Sequence, residues 1–382
     1  MMTTNNEADN RKKALGIYIH IPFCRSRCRY CGFYSRAAED SPDSGRAIEQ
    51  YIWKLIAEIA EKGAMYRRQY VADSVFIGGG TPSMMPAAGV EAVLGAVREH
   101  FVLSSDAEVT LEANPDTVNL RNLRRWRAAG VNRLSMGVQS LDDGILHTLG
   151  RIHSAGEAVE AYRLARKAGF RNINLDIMFA VPGQSMEQWM DTVDRVVGLD
   201  PEHISFYSLQ IEEDTPFYEA YMNGELDFVP EETDRAMYHA AIAAMRRAGY
   251  EHYEISNMAK PGMRCRHNLK YWSFGEYLGI GDSASSFMNG TRWTEKPREE
   301  YHENDFADST GEYVFTGLRK TEGIRKSDFA RRFGREFWEV YGSRRGYLKE
   351  YFEEGLLLEE GDVIRLSERG IDISNSIMAI FV

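Results

Sequence analysis

Residues 74–82 read Ser74-Val75-Phe76-Ile77-Gly78-Gly79-Gly80-Thr81-Pro82. A short β-rich run enters a glycine turn, and a helical stretch follows near residues 90–101. That unit recurs along the chain. β-rich runs fall at 16–21, 74–77, 108–111, 133–136, 172–178 and 203–209. Further helical stretches fall near 120–129, 155–168, 186–197 and 234–248. The clearest helix signal is Ile48, Tyr51, Ile52, Leu55, Ile56 and Ile59, whose steps of three and four share one face. Gly130, Gly169 and Gly249 each follow a helix, where a left-handed cap is needed. Six such units in series predict a parallel sheet with right-handed crossovers. A doubly wound sheet and a complete or partial barrel both fit. In either, chemistry gathers where strands end, so functional motifs should directly follow strands.

The chain has 382 residues, 43% apolar and 27% charged. That supports a sizeable core and excludes a disordered polar chain. Its 46 basic and 57 acidic residues leave a net charge of −11, which argues against a broad phosphate-binding surface and a nucleic-acid partner. No apolar run approaches the roughly 20 residues of a membrane-spanning helix. Residues 1–13 read as a disordered lead-in. The apolar stretch 15–23 contains His20 and Pro22 and meets no small-residue cleavage site, so no signal peptide is expected. The expected compartment is the cytoplasm. Its reducing conditions disfavour disulfides and leave four cysteines to explain.

Residues 14–250 carry the repeating units. Residues 251–310 are aromatic-rich and read as an irregular linker or extension, with Gly275, Gly279 and Gly281 close together. Residues 311–382 predict short helices, a hairpin at 356–358 and 363–366, and a closing helix near 371–380. That is a small α+β domain resembling a winged helix, for which packing against the larger domain is the plain role.

Cys24, Cys28 and Cys31 lie straight after the first β-rich run, in Cys24-Arg25-Ser26-Arg27-Cys28-Arg29-Tyr30-Cys31. Thiolates bind zinc or iron–sulfur centres. Structural zinc asks for four ligands, and Cys265 is alone and distant in sequence. Three thiolates suit a [4Fe-4S] cluster with one open iron, which could bind a further ligand. Arg25, Arg27 and Arg29 are expected to favour the ionised thiols. A degenerate zinc knuckle or three free thiols is the bland alternative.

The CxxxCxxC loop, with Tyr30 before its third cysteine, resembles the signature of the radical S-adenosylmethionine (SAM) superfamily. Its flanks Tyr18-Ile19-His20-Ile21-Pro22-Phe23, Gly78-Gly79-Gly80-Thr81-Pro82, Glu112-Ala113-Asn114-Pro115 and Gly137-Val138-Gln139-Ser140 resemble the oxygen-independent coproporphyrinogen III oxidase family over about residues 15–380. The resemblance implies a partial (β/α)6 barrel with a smaller C-terminal domain. It also implies a [4Fe-4S] cluster on Cys24, Cys28 and Cys31. Tyr18, Tyr30, Gly79, Gly80, Thr81, Glu112, Gln139, Arg151 and Asp176 match its SAM-contacting positions. The glycine turn would lie against the methionine amino group, its amides close to the ligand. Gln139 and Arg151 would reach the ribose and the methionine carboxylate, which arginine grips bidentately. Asp176 is an unusual acid within a strand. Each has a plainer reading as a turn, a cap or a surface ion pair. One departure is Ala180, in Phe179-Ala180-Val181-Pro182-Gly183-Gln184, where the family usually has glycine.

His267-Asn268-Leu269-Lys270-Tyr271-Trp272 resembles a motif of the family's haem chaperone branch (HemW-type). Histidine can ligate haem iron and aromatic rings can pack on a flat macrocycle, so His267 is the haem-ligand candidate. A core histidine among packing aromatics is the alternative, and Cys265 reads as a buried free thiol. Two absences favour this branch. The oxidases carry a further cysteine where this chain has Phe33, and a longer N-terminal arm. Gly32 departs from the aspartate usual in the chaperones. The resemblance thus implies a chaperone that binds a cluster, SAM and haem. It would hand haem to an acceptor protein at the membrane and take electrons from a flavodoxin-like donor. It would lie in the cytoplasm or peripherally at the inner membrane face, and SAM turnover is left open. The alternative is the oxidase itself, which converts two propionates of coproporphyrinogen III to vinyls.

Overall fold

The computed structural model describes residues 12–37 and 44–382. Most of the expected lead-in lies outside the described residues, and Lys13 already opens the first strand. Strands Lys13–Ile21 (β1), Tyr70–Gly79 (β2), Leu103–Ala113 (β3), Arg133–Gln139 (β4), Ile173–Phe179 (β5) and His203–Ser208 (β6) pair in parallel, each with the next. Each contains or closely overlaps a β-rich run of the sequence.

The crossovers are helical: Ser44–Tyr66 (α1), Ala87–His100 (α2), Leu120–Ala128 (α3), Asp143–Thr148 (α4), Ala155–Ala168 (α5) and Met186–Leu199 (α6). Pro216–Met222 (α7) and Glu231–Arg247 (α8) follow β6. Local chemistry fixes several ends. Ser154 with Glu157, and Ser185 with Gln188, form capping boxes that start α5 and α6. Gly169 ends α5 at φ +94°, a conformation an L side chain resists.

Alternation within the strands makes two unlike faces. Ile17, Ile77, Leu111, Leu134, Ile177 and Phe206 are fully buried and share one core with Leu55, Val93 and Trp189 of the helices. The opposite positions carry Ser74, Thr110, Glu112, Ser135, Asn174 and Asp176. Side chains from all six strands line one cavity of about 240 Å³. Convergence from six neighbouring strands requires a curved sheet, and its two edges do not pair with each other. The fold is therefore the expected partial barrel.

Of the two expectations for residues 251–310, an irregular linker or an extension of the barrel, the structure has the extension. These residues contain Glu251–Glu254 (β7), Asn257–Ala259 (β8), Arg266–Trp272 (α9), Tyr277–Ile280 (β9), Ser285–Met288 (β10), Thr291–Thr294 (β11) and Glu300–Glu303 (β12). β9 pairs in parallel with β1, and β10, β11 and β12 extend it as an antiparallel meander. β8 and β7 extend the β6 edge. The sheet has 12 strands in the order β12-β11-β10-β9-β1-β2-β3-β4-β5-β6-β8-β7. Strands this short show too little alternation to be read from pattern. Gly279 serves the meander by close approach, since a Cβ there would lie 2.4 Å from the Ser285 carbonyl oxygen.

The rest is Phe306–Gly317 (α10), Ile324–Arg325 (β13), Lys326–Phe333 (α11), Phe337–Tyr341 (α12), Arg345–Glu353 (α13), Leu357–Glu360 (β14), Val363–Leu366 (β15), Glu368–Asp372 (α14) and Ser374–Met378 (α15). The expected hairpin is present with β13 added as a third strand. The expected closing helix is instead two short helices and a 3₁₀ turn. Among the described residues no helix is long and apolar enough to cross a membrane.

Ala180 follows β5 at φ +56°. A left-handed alanine costs energy that glycine does not pay. Ala180→Gly is expected to stabilise the fold by about 0.5–1 kcal/mol, after allowing for glycine's freer unfolded chain. Thermal unfolding checks it: a lowered midpoint would mean the methyl packs usefully.

Candidate cluster and cofactor site

The cysteine loop leaves β1 and is fastened at its neck, where Phe23–Cys24 pairs with Arg36–Ala37. Cys24, Cys28 and Cys31 are partly exposed, and Cys265 is buried elsewhere. A polar chain links two of the sulfurs. Thr81 Oγ1 donates to Cys24 Sγ at 3.5 Å and accepts from Asn114 Nδ2 at 3.0 Å. Asn114 Oδ1 accepts from Arg151 at 2.9 Å. Arg151 also donates to Cys28 Sγ at 3.3 Å and to the Gly137 carbonyl at 2.9 Å. Thr81 and Asn114 directly follow β2 and β3, so the chain runs across the mouth of the barrel.

Of the loop's three arginines only Arg27 acts on a thiol as expected. Arg25 pairs with Asp116 at 3.2 Å. Arg29 is fixed through its backbone to Leu149 and Phe217. Arg27 bonds the Cys31 backbone carbonyl at 3.3 Å, and its charge lowers the Cys31 thiol's pKa. Burial outweighs it and pushes the Cys31 thiol up to about 11; Cys24 is raised for the same reason. Thiolates therefore need a cation at the sulfurs themselves, as a metal centre supplies. Among the described residues no three ligating groups converge on a single-ion point. A [4Fe-4S] cluster takes each thiolate on a different iron and needs no such point. The loop's donor set fits that group.

The glycine turn is tightly enclosed. Gly79 has φ +113°, and a Cβ on it would lie 2.6 Å from the His20 ring. A Cβ on Gly80 would lie 2.7 Å from the Phe23 carbonyl oxygen and 3.0 Å from Cys24 Sγ. Its amides have protein partners. Gly79 N–H donates to Glu112 at 3.1 Å. Gly80 and Thr81 donate to the Ile21 and Phe23 carbonyls, each at 2.7 Å. Gly79→Ala is expected to displace His20 and cost about 1–3 kcal/mol, read as a lower denaturant midpoint. An unchanged midpoint would show that the turn relaxes freely.

The sequence motif contained His20 without giving it a role. Its Nε2 donates to the Tyr34 carbonyl at 2.8 Å and its Nδ1 accepts from Tyr18 Oη at 3.0 Å. Burial lowers its pKa, which suits this neutral ring tying the far end of the cysteine loop to β1. Asn114 and Tyr207 likewise carry no site signal in the sequence. Tyr207 donates to Gln139 Oε1 at 2.9 Å, and Gln139 itself sits at φ +65°, strain typical of functional positions. Tyr30 packs in an apolar cluster with Ile145, Leu149 and Phe217.

Glu112 and Asp176 both line the inner cavity, with Tyr18, Phe76 and Arg133. Burial, then the charge of Asp176, pushes Glu112 up to about 8. Burial also raises Asp176, although Asn174 donates to it at 2.7 Å. Two acids whose ionised forms repel each other favour a cationic guest, such as a sulfonium or ammonium group, although Arg133 already supplies part of that charge. Arg151 Nε is buried without a partner, which leaves a donor for a guest carboxylate. The structure thus gathers Tyr18, Glu112 and Asp176 at one cavity, and Gly80, Thr81 and Arg151 around the sulfurs.

His267 lies fully buried at the foot of the same cavity. Ser74 Oγ lies 2.9 Å from its Nδ1, and Tyr271 Oη lies 2.8 Å from its Nε2. Phe76 stacks on the ring at 5.2 Å. Both nitrogens have protein partners, so ligating iron would require one bond to open.

A model of the radical SAM superfamily matches residues 18–196, and one of the HemN C-terminal domain matches residues 308–373. The heme chaperone HemW of Bacillus subtilis (strain 168) is 35% identical, covering 96% of this chain and 98% of that protein. HemW of Escherichia coli (strain K12) is 34% identical over the same shares of each chain. The solved structure of the Escherichia coli radical SAM enzyme coproporphyrinogen III oxidase (HemN) superposes with a TM-score of 0.83. It covers 98% of this chain and 92% of that one at 21% identity, a likeness of fold. Near-full-length relatives above 30% identity, joined to a cysteine loop at the mouth of a matching barrel, settle the kinship: the chain belongs to the radical SAM superfamily and, within it, to the HemW family.

Proposed function

We propose that this protein is a haem chaperone that carries a [4Fe-4S] cluster and SAM and passes haem to an acceptor protein. The observation that carries this reading is the 35% identity, over nearly the whole chain, to a protein named for that role. Cys24, Cys28 and Cys31 would hold the cluster. Tyr18, Tyr30, Gly79, Gly80, Thr81, Gln139, Glu112, Arg151 and Asp176 would surround SAM. When bound, such a cluster would supply one electron to the sulfonium of SAM.

The chain's own residues then have distinct tasks. Arg151 presents an unused Nε–H to the methionine carboxylate. Glu112, anchored by the Gly79 amide, and Asp176 balance the positive charge. His20 holds the loop through Tyr34 and keeps the sulfurs over the strand ends. Haem delivery itself needs no SAM cleavage. The acceptor would be a haem protein at the inner membrane face, reached from the cytoplasm, and a flavodoxin-like protein would supply electrons.

The test is anaerobic incubation of the reconstituted protein with SAM, a reductant and coproporphyrinogen III, beside a haem titration. Stoichiometric haem binding without protoporphyrinogen is expected. Protoporphyrinogen appearing together with 5′-deoxyadenosine would make it the oxidase instead.

A further inference from the structure

Tyr18, Phe33 and Tyr271 stand between two cavities. The inner one holds Glu112 and Asp176. The outer one, of about 410 Å³, lies between the cysteine loop, α9 and the meander. Its walls are rings, among them Phe33, Tyr34, Tyr277 and Phe287. Such a lining suits the face of a flat aromatic guest.

Three polar features separate this pocket from an ordinary aromatic core. Arg298 stands at its rim, 5.9 Å from the Tyr34 ring centre. Among the described residues no carboxylate pairs with it. Arg292, by contrast, is already held by Tyr277 Oη at 2.6 Å and Glu312 at 2.7 Å. Trp272 Nε1 and Ser283 Oγ belong to lining residues and are buried without partners. Phe274 and Ser283, also lining residues, hold φ of +52° and +59°. Strain of that sort persists where surroundings enforce it, and it clusters at ligand sites.

The guest that matches is planar, aromatic and bears carboxylates. We propose that the outer pocket is the haem site, with the macrocycle against the aromatic wall and a propionate on Arg298; His267, which lines only the inner cavity and is bonded by Ser74 and Tyr271, is then not the iron ligand. The proposal rests on the haem-chaperone reading and locates the cargo within it. Phe33 gives it a structural reason. This ring is 67% exposed and lines the pocket, where a planar guest would cover it. It forms both a wall of the outer pocket and part of the screen before the inner one. The cargo is thereby kept apart from the proposed SAM cavity, as suits a carrier that must not alter what it carries.

The test is an equilibrium titration of the full chain, followed by haem absorbance, with haem and with haem dimethyl ester, which lacks the propionate charges. Three proteins are compared: wild type, Arg298→Ala and Phe33→Ser. Both replaced side chains are exposed, so folding should persist, and thermal unfolding confirms it. Arg298→Ala is expected to weaken haem binding about tenfold while barely changing ester binding. Phe33→Ser is expected to weaken both ligands. If the wild type binds haem and Arg298→Ala matches it, or loses haem and ester equally, the pocket assignment is overturned. If the wild type binds neither ligand, the chaperone reading fails and takes the pocket with it.

Discussion

Cys24→Ala, Cys28→Ala and Cys31→Ala should each take anaerobically reconstituted iron from about four per chain to near zero. The corresponding Cys265→Ala protein should keep its iron. In a cubane with one open iron, each thiolate serves a different iron, so no sulfur can substitute for another. The surroundings reinforce this. Cys24 is bonded by Thr81 and Cys28 by Arg151, through a shared Asn114. Cys265 has no such access. It is fully buried, faces Glu108 at 3.6 Å, and its thiol is pushed up to about 12, mainly by burial. It behaves as a small apolar side chain in the core. Iron and sulfide analysis with the charge-transfer absorbance of the cluster reads the result. Zinc held stably in place of iron, or iron surviving the loss of Cys28, would sink the cluster assignment.

The six parallel strands were legible because each pairs a β-rich run with a turn and a helix, and repetition compensates for weak individual signals. Strand–helix repetition does not separate a barrel from a doubly wound sheet, yet the strands contain the distinction. Thr110 and Glu112 alternate with Val109 and Leu111, and Asn174 and Asp176 alternate with Ile173 and Leu175. A sheet covered by helices on both faces would be apolar at both sets of positions. Polar residues on one face of a parallel sheet imply a polar interior. The cysteine loop was readable because its chemistry needs three like residues at short spacing. His20, Asn114 and Tyr207 act singly, and each meets its partner only through the tertiary fold. The loop arginines mislead for the converse reason: Arg25 is adjacent to Cys24 in sequence, yet its charge goes to Asp116.

Glu112 should make stability and SAM binding respond to pH in opposite directions. Its folded pKa, about 8, lies above the ordinary 4.5, because burial and Asp176 disfavour its charge. Below pH 4.5 the group is protonated in both folded and unfolded chains and exacts no penalty. As pH rises from there towards 8, the unfolded chain ionises first and stability falls, by up to about 5 kcal/mol by linkage. Above 8 the loss is complete and levels off. A cationic guest reverses the preference, since it binds best beside the carboxylate. Between pH 6 and pH 8, SAM affinity is therefore expected to rise by one to two orders of magnitude, about tenfold for each unit below the pKa. Glu112→Gln removes both trends while keeping an oxygen to accept from the Gly79 amide. Relative to wild type it should gain stability between pH 5 and 8 and bind SAM weakly at every pH. Parallel pH profiles in the wild type and Glu112→Gln, for either quantity, would mean that another group governs the titration. Asp176 and Arg133 share the cavity and are the first to examine, because both shape the charge that Glu112 experiences.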